Sequence, residues 1–164
     1  MLEAAAGMRL AFLSFMRVNC TWKDRLSFVS NADGHDVAMD SKPPLGTDLA
    51  MTPKQLVLSG LCGCTAMDVV SLLKKHKQPL EGFEIEATAE TTDQGHPVVF
   101  REIHLVFRLK GAIDPAKAIE AVTLSQTRYC GVSAMLSKAV PIHYTVELNG
   151  SPVASGQAAF AFTY

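Results

Sequence analysis

Residues 52–77 read TPKQLVLSGLCGCTAMDVVSLLKKHK, and this stretch decides the fold. Thr52 followed by Pro53 is a helix start: a hydroxyl to cap the first free N–H groups, then a ring already set at helical φ. Lys74, Lys75, His76 and Lys77 suit the negative end of the helix dipole, and Pro79 stops the run. The spacing predicts a helix of ~39 Å at 1.5 Å per residue. Between Leu56 and Leu73 the only charge is Asp68. That length is the lower edge of a membrane span. Asp68 near its middle would cost about 2.5–3.5 kcal/mol there, and Ser59, Gly60, Gly63, Thr65 and Ser71 dilute the apolar character further. The span is therefore rejected. A helix apolar on all sides in a soluble protein is a buried central helix. Gly60 and Gly63 leave room for another backbone to approach it.

Working outward, residues 17–30 look extended, with a polar break at Lys23-Asp24. Asn31-Ala32-Asp33-Gly34 is a turn, and Val37 and Met39 mark a short third strand. Residues 41–48 (SKPPLGTD) form a loop, since two prolines and a glycine deny either ladder. After the helix, Phe83, Ile85, Ala87 and Ala89 alternate with Glu84, Glu86, Thr88 and Glu90. Ile103, Leu105, Phe107 and Leu109 alternate with His104, Val106, Arg108 and Lys110, so a hairpin is expected across Asp93-Gln94-Gly95. Asp114-Pro115 opens a second helix to about Arg128. A break at Gly131 precedes a short helical piece through Lys138. Ile142, Tyr144, Val146 and Leu148 alternate as another strand, Asn149-Gly150 turns the chain, and residues 158–164 supply the last strand. The order βββ-α-ββ-α-ββ defines an α+β domain.

The chain has 164 residues, 48% hydrophobic and 19% charged, with net charge −1. This excludes a disordered tail and gives no field to steer a polyanion, so nucleic acid is not an expected partner, nor is a membrane. So apolar a chain implies surface hidden against another subunit. Cysteines 20, 62, 64 and 130 are too few and too unevenly spaced for a disulfide scaffold; they read as thiols in a reducing, cytoplasmic setting. Residues 1–15 form an apolar leader of uncertain start, Met16 being the more natural one. They are set apart from a single domain over residues 16–164.

Metal binding is not expected. Cys62-Gly63-Cys64 points its two sulfurs about 200° apart on a helix, a second ligand pair is absent, and the five histidines are scattered. No serine-nucleophile or phosphate-cradling motif is present, and no cofactor is implied. Cysteine chemistry remains. Cys64 lies mid-helix on a face shared with Gly60, Met67 and Asp68. Cys130 lies at a helix break, where a helix N-terminus favours thiolate. Spacing alone does not show that they meet.

The segments TPKQLVLSGLCGCTAMDVVSLL and TRYCGVSAMLSKAVPIHYTVEL resemble the OsmC/Ohr family of osmotically inducible and organic-hydroperoxide-resistance proteins, in its less characterised branch. The likeness runs from about Arg17 to Leu148. It implies an OsmC-like α+β fold, with antiparallel sheets packed on two long helices in an intertwined homodimer. It also implies a thiol peroxidase in which Cys64 attacks an organic hydroperoxide, Cys130 resolves the sulfenic acid to a disulfide, and a dithiol reductant restores both. The better-studied peroxidases of the family carry a glutamate ten residues before the peroxidatic cysteine, paired with an N-terminal arginine. Here Lys54 occupies the first position, and Arg25 is the candidate arginine. A non-catalytic dimeric binding module or a redox sensor with an apolar interfacial pocket is the alternative.

Overall fold

The computed structural model describes residues 15–161; the expected leader, Phe15 apart, lies outside the described residues. These described residues divide into two compact units, one ending at Pro53 and the other starting at Lys54.

In the first unit, β1 (Asn19–Asp24), β2 (Ser27–Ala32) and β3 (His35–Met39) form an antiparallel meander. Asp33 and Gly34 both take positive φ, 52° and 85°, the geometry that lets a two-residue turn follow the twist of its strands. The polar break before β2 is a turn at Arg25, whose φ is 46°. The loop that follows is organised by Asp40, which is 3% exposed. Its carboxylate accepts from the backbone N–H groups of Ser41, Thr47 and Leu49 and from the Thr47 hydroxyl. Gly46 is required there, because an added Cβ would lie 2.0 Å from the Ser41 carbonyl oxygen.

The second unit contains α1 (Pro53–Lys75, but for Pro53 itself), β4 (Gly82–Thr91), β5 (Phe100–Lys110), α2 (Pro115–Leu124), a π-helical turn (Ser125–Tyr129), α3 (Gly131–Leu136), β6 (Ile142–Leu148) and β7 (Ser151–Gln157). Helix α1 ends in a Schellman motif. Lys77 takes φ 53°, and the N–H groups of Gln78 and Lys77 return to the carbonyls of Leu73 and Lys74. Asp114 caps α2 by accepting from the Ala116 N–H at 2.9 Å. The four strands lie in the order β4-β5-β6-β7, antiparallel except for β5 and β6, which run parallel. Of the helices, α1 is the long one, with 23 residues, and α2 has ten before its π-turn.

One face of this sheet is the core. Ile103, Leu105, Phe107, Ile142 and Val146 are buried with Leu61, Val69 and Leu73 of α1 and Ala118, Ala121 and Val122 of α2. The outer face is charged: Arg108 bonds Glu86 at 2.6 Å and pairs with Glu147 at 3.3 Å.

Two expectations are corrected. Residues 158–161 carry no strand, residues 162–164 of the expected one lie outside the described residues, and the strand after β6 is Ser151–Gln157, starting directly after the Asn149-Gly150 turn, whose φ values are 52° and 84°. Pro152 and Gly156 hide it from propensity, and both are tolerated because β7 is an edge strand. Helix α1 is not buried on all sides by its own chain: only 28% of its apolar stretch is covered. Met67 is 75% exposed, and a Cβ at Gly60 or Gly63 would meet nothing within 4 Å.

Candidate thiol site

Helix α1 puts one stripe, Leu61, Thr65, Val69 and Leu73, into the core at i, i+4 spacing. Cys64 sits on the shoulder of that stripe, half-buried against the core. Cys130 arrives from the other side. At Ser125 the α2 helix widens into a π-turn, closed by the Cys130 N–H on the Ser125 carbonyl, five residues back. Cys130 then becomes the N-cap of α3, with extended backbone (φ −70°, ψ 102°), and its sulfur accepts from the Ser133 N–H at 3.3 Å. This places Cys130, fully buried, against α1, where its thiol neighbours that of Cys64. Both thiols are free.

A polar cluster surrounds the buried sulfur. The Thr65 hydroxyl donates to Cys130 Sγ at 3.4 Å, Gln126 Nε2 donates to Thr65 Oγ1 at 3.2 Å, and Ser133 Oγ donates to Gln126 Oε1 at 2.8 Å. Thr65, Gln126 and Ser133 are wholly buried. Alongside, Ser125 Oγ donates to Asp68 Oδ2 at 3.0 Å. Burial pushes the Asp68 carboxyl above its ordinary range, and the Ser125 bond opposes this. An open cleft of ≈ 250 Å³ lies beside this pair, lined by Asp68, Ser71, Leu72, Lys75 and Tyr129. On the outer face of α1, a more apolar cleft of ≈ 490 Å³ is lined by Ala66, Met67, Val70, Ser71 and Lys74.

The expected thiolate bias at Cys130 is overturned. Burial drives this thiol up to about 11, the Thr65 hydroxyl and Ser133 N–H pull it down, and the adjacent Cys64 pushes it up again. The short helix does aim an N–H at the sulfur, but desolvation outweighs it. Cys62 is half-buried with its thiol also raised by burial, and Cys20 is exposed on β1.

Of the three residues singled out in the sequence, Cys64 and Cys130 are brought together. Arg25 belongs to the first unit, exposed in the β1–β2 turn, with its carbonyl accepting from the Trp22 indole at 2.9 Å. His104 and His143 stack on the outer sheet face, 5.4 Å between ring centres, and both approach Glu102 Oε1. Among the described residues no trio of His, Cys, Asp or Glu is arranged to hold a metal.

Sequence reasoning passed over Thr65, Gln126 and Ser133. The signal was present. Ser125 and Gln126 continue the buried stripe of Ala118, Ala121 and Val122, and Thr65 interrupts an apolar one. Polar residues on buried stripes require polar partners.

The sequence profile of the OsmC-like protein family matches residues 46–145. The chain belongs to this family. Among OsmC-like relatives, protein YhfA of Escherichia coli strain K12 is 36% identical over 135 residues, covering 81% of this chain and 98% of YhfA. The OsmC-like protein of Mycoplasma pneumoniae has the same fold, with TM-score 0.72 at 17% identity over 82% of this chain and 97% of that one. So does an organic hydroperoxide resistance protein OsmC of Legionella pneumophila, described as a predicted redox protein, with TM-score 0.64 at 17% identity over 82% of this chain and 98% of that one.

Proposed function

We propose that the protein is a thiol-dependent peroxidase that reduces organic hydroperoxides, with Cys64 as the attacking and Cys130 as the resolving residue. The observation that carries this reading is the contact between the half-buried Cys64 thiol and the buried Cys130 thiol. Such a pair suits a three-step cycle. Cys64, as thiolate, attacks the distal oxygen of ROOH; the O–O bond breaks, and the alkoxide leaves as ROH after taking a proton. Cys64 is left as sulfenic acid. Cys130 Sγ then attacks Cys64 Sγ, the S–O bond breaks, and the hydroxyl departs as water with the Cys130 proton. That proton is available because burial keeps Cys130 a thiol. An external dithiol reduces the disulfide and leaves oxidised. Family membership and the name of the Legionella relative support the same class of chemistry.

The reading extends to a homodimer in a reducing, cytoplasmic setting. The exposed side of α1, with Met67, Val57 and two glycines facing open space, is suited to a second copy of the same helix. Arg25 remains the candidate activating cation by resemblance.

The alternative, a dimeric binding module or redox sensor, is favoured by Lys54 at the position of the family glutamate and by the apolar cleft along α1. Consumption of cumene hydroperoxide with dithiothreitol separates the two. Turnover by the native protein and its loss in Cys64→Ser are expected; equal consumption by both proteins, or by neither, would refute the peroxidase.

A further inference from the structure

The cycle above uses Cys130 as an attacking sulfur, yet the hydrogen bonds around it are those of a sulfur that receives negative charge. Both protein groups that touch it besides Cys64 are donors: the Thr65 hydroxyl at 3.4 Å and the Ser133 N–H at 3.3 Å. The hydroxyl donates to the sulfur while its oxygen accepts from Gln126 Nε2, a bond that leaves its one hydrogen for Cys130. The Gln126 amide, in the orientation its bonds assign, is held by Ser133 Oγ on Oε1. A chain of oriented bonds thus runs Ser133, Gln126, Thr65, Cys130, each member fully shielded from water. A buried donor chain of this kind is preorganised and strongest toward an ionised acceptor.

Exposure adds the second half of the argument. A reductant from solution cannot reach Cys130, which is 0% exposed, whereas Cys64 is only half-buried. In a thiol–disulfide exchange the attacked sulfur keeps a partner and the other sulfur leaves with the electron pair. The exchange is faster when the departing thiolate is better stabilised; burial alone makes Cys130 a poor leaving group, and the Thr65 and Ser133 donors offset part of that cost.

We propose that the Thr65–Gln126–Ser133 chain serves the reductive half of the cycle, by holding Cys130 as the departing sulfur when an external thiolate opens the disulfide at Cys64. This rests on the thiol-peroxidase reading for the existence of the disulfide. The reductant thiolate forms a bond to Cys64 Sγ, the Cys64–Cys130 bond breaks, and the electron pair settles on Cys130 Sγ between its two donors. The second thiolate of the same reductant then attacks its own sulfur in the mixed disulfide. Cys64 is released, and the reductant leaves as an intramolecular disulfide. The two protons given up by the dithiol end on the two cysteines. Thr65 and Gln126 are positioning residues in this scheme, since they act through Cys130.

The test starts from the disulfide made with diamide, so its result does not depend on whether hydroperoxides are substrates. Failure of cumene hydroperoxide to make the same disulfide would count against the peroxidase reading alone. Reduction by dithiothreitol is followed by stopped flow in native protein, Thr65→Val and Thr65→Ser. In Thr65→Val the ratio of reduction rate to Cys64 oxidation rate is expected to fall about tenfold, the scale of one hydrogen bond to an ionised group; Thr65→Ser is expected to restore it. A purely structural role would lower the oxidation and reduction rates together and leave their ratio unchanged. Independently of any variant, brief reaction of the native disulfide with 2-mercaptoethanol should leave the adduct on Cys64 and Cys130 open to alkylation after unfolding. An adduct on Cys130, an unchanged ratio in Thr65→Val, or no 64–130 disulfide with diamide would overturn the proposal.

Discussion

Ser125 Oγ donates to Asp68 Oδ2 at 3.0 Å, which ties the first residue of the π-turn to α1 one helical turn beyond Cys64. Ser125 is fully buried, so its hydroxyl has no water to fall back on. Ser125→Ala should destabilise the protein by about 1 kcal/mol, the net cost of losing one bond whose acceptor lines an open cleft and can be hydrated. Urea unfolding measures it, and a change near zero would show that the tie is not an anchor.

Two carboxyls should respond to pH with opposite sign. Asp40 is held down to about 2, first by the Thr47 hydroxyl and then by backbone N–H groups, against 3.8 for a free group. Its contribution to stability is complete above 3.8 and is lost as pH falls through 2. Asp68 is raised, so its charged form is the disfavoured one in the fold. Its contribution is greatest below 3.8 and declines as pH rises through the folded titration. Thermal melts should therefore show Asp40→Asn less stable than the native protein at pH 7, with the gap closing near pH 2. Asp68→Asn should be at least as stable as native at pH 7, with its advantage gone in acid. Parallel pH profiles for native protein and variant would contradict either assignment.

Cys62 and Cys64 are neighbours in sequence but not in direction, since two helical residues diverge by about 200°. Cys62→Ala should leave hydroperoxide-induced thiol loss intact, and so should Cys20→Ala. Cys130→Ser should instead hold Cys64 as a sulfenic acid that dimedone captures. Loss of the reaction in Cys62→Ala, followed by thiol titration, would move the chemistry to the wrong face of α1.

Met67 is 75% exposed at the middle of the helix's uncovered side. If a second copy covers that side, Met67→Glu buries a charge at the contact, and burying an unpaired charge costs several kcal/mol. Sedimentation should show the native chain as a dimer at micromolar concentration and Met67→Glu as a monomer. A native monomer that remains folded would exclude the dimer.

Much of this architecture was legible in local patterns. Thr52-Pro53 and Asp114-Pro115 marked both helix starts, and the alternation around Ile85, Leu105 and Val146 marked strands and their buried faces. The parallel pairing of β5 with β6 was not legible, because direction depends on where a chain returns after thirty residues of crossover, which no local pattern records. Strand β7 was misplaced because Ser151, Pro152 and Gly156 carry little strand propensity. The contact between Cys64 and Cys130 came only through resemblance. The burial that governs the Cys130 thiol is a tertiary property: a cysteine before Gly131 reads as a helix-start thiolate until the sheet and α1 close over it.

The parallel pairing of β5 and β6 also orders events during synthesis. Two parallel strands cannot be joined by a tight turn, so the chain must leave the sheet and return, and Cys130 rides on that excursion. Until β6 has been made and has zipped beside β5, only side-chain bonds such as those to Asp68 and Thr65 tie this excursion to α1, with no completed sheet behind them, and Cys64 leaves the ribosome as a lone thiol on an apolar helix. The proximity of the two sulfurs is thus a certificate of completed threading. A cross-linker short enough to span only adjacent thiols, applied to stalled nascent chains, would read out when the topology closes.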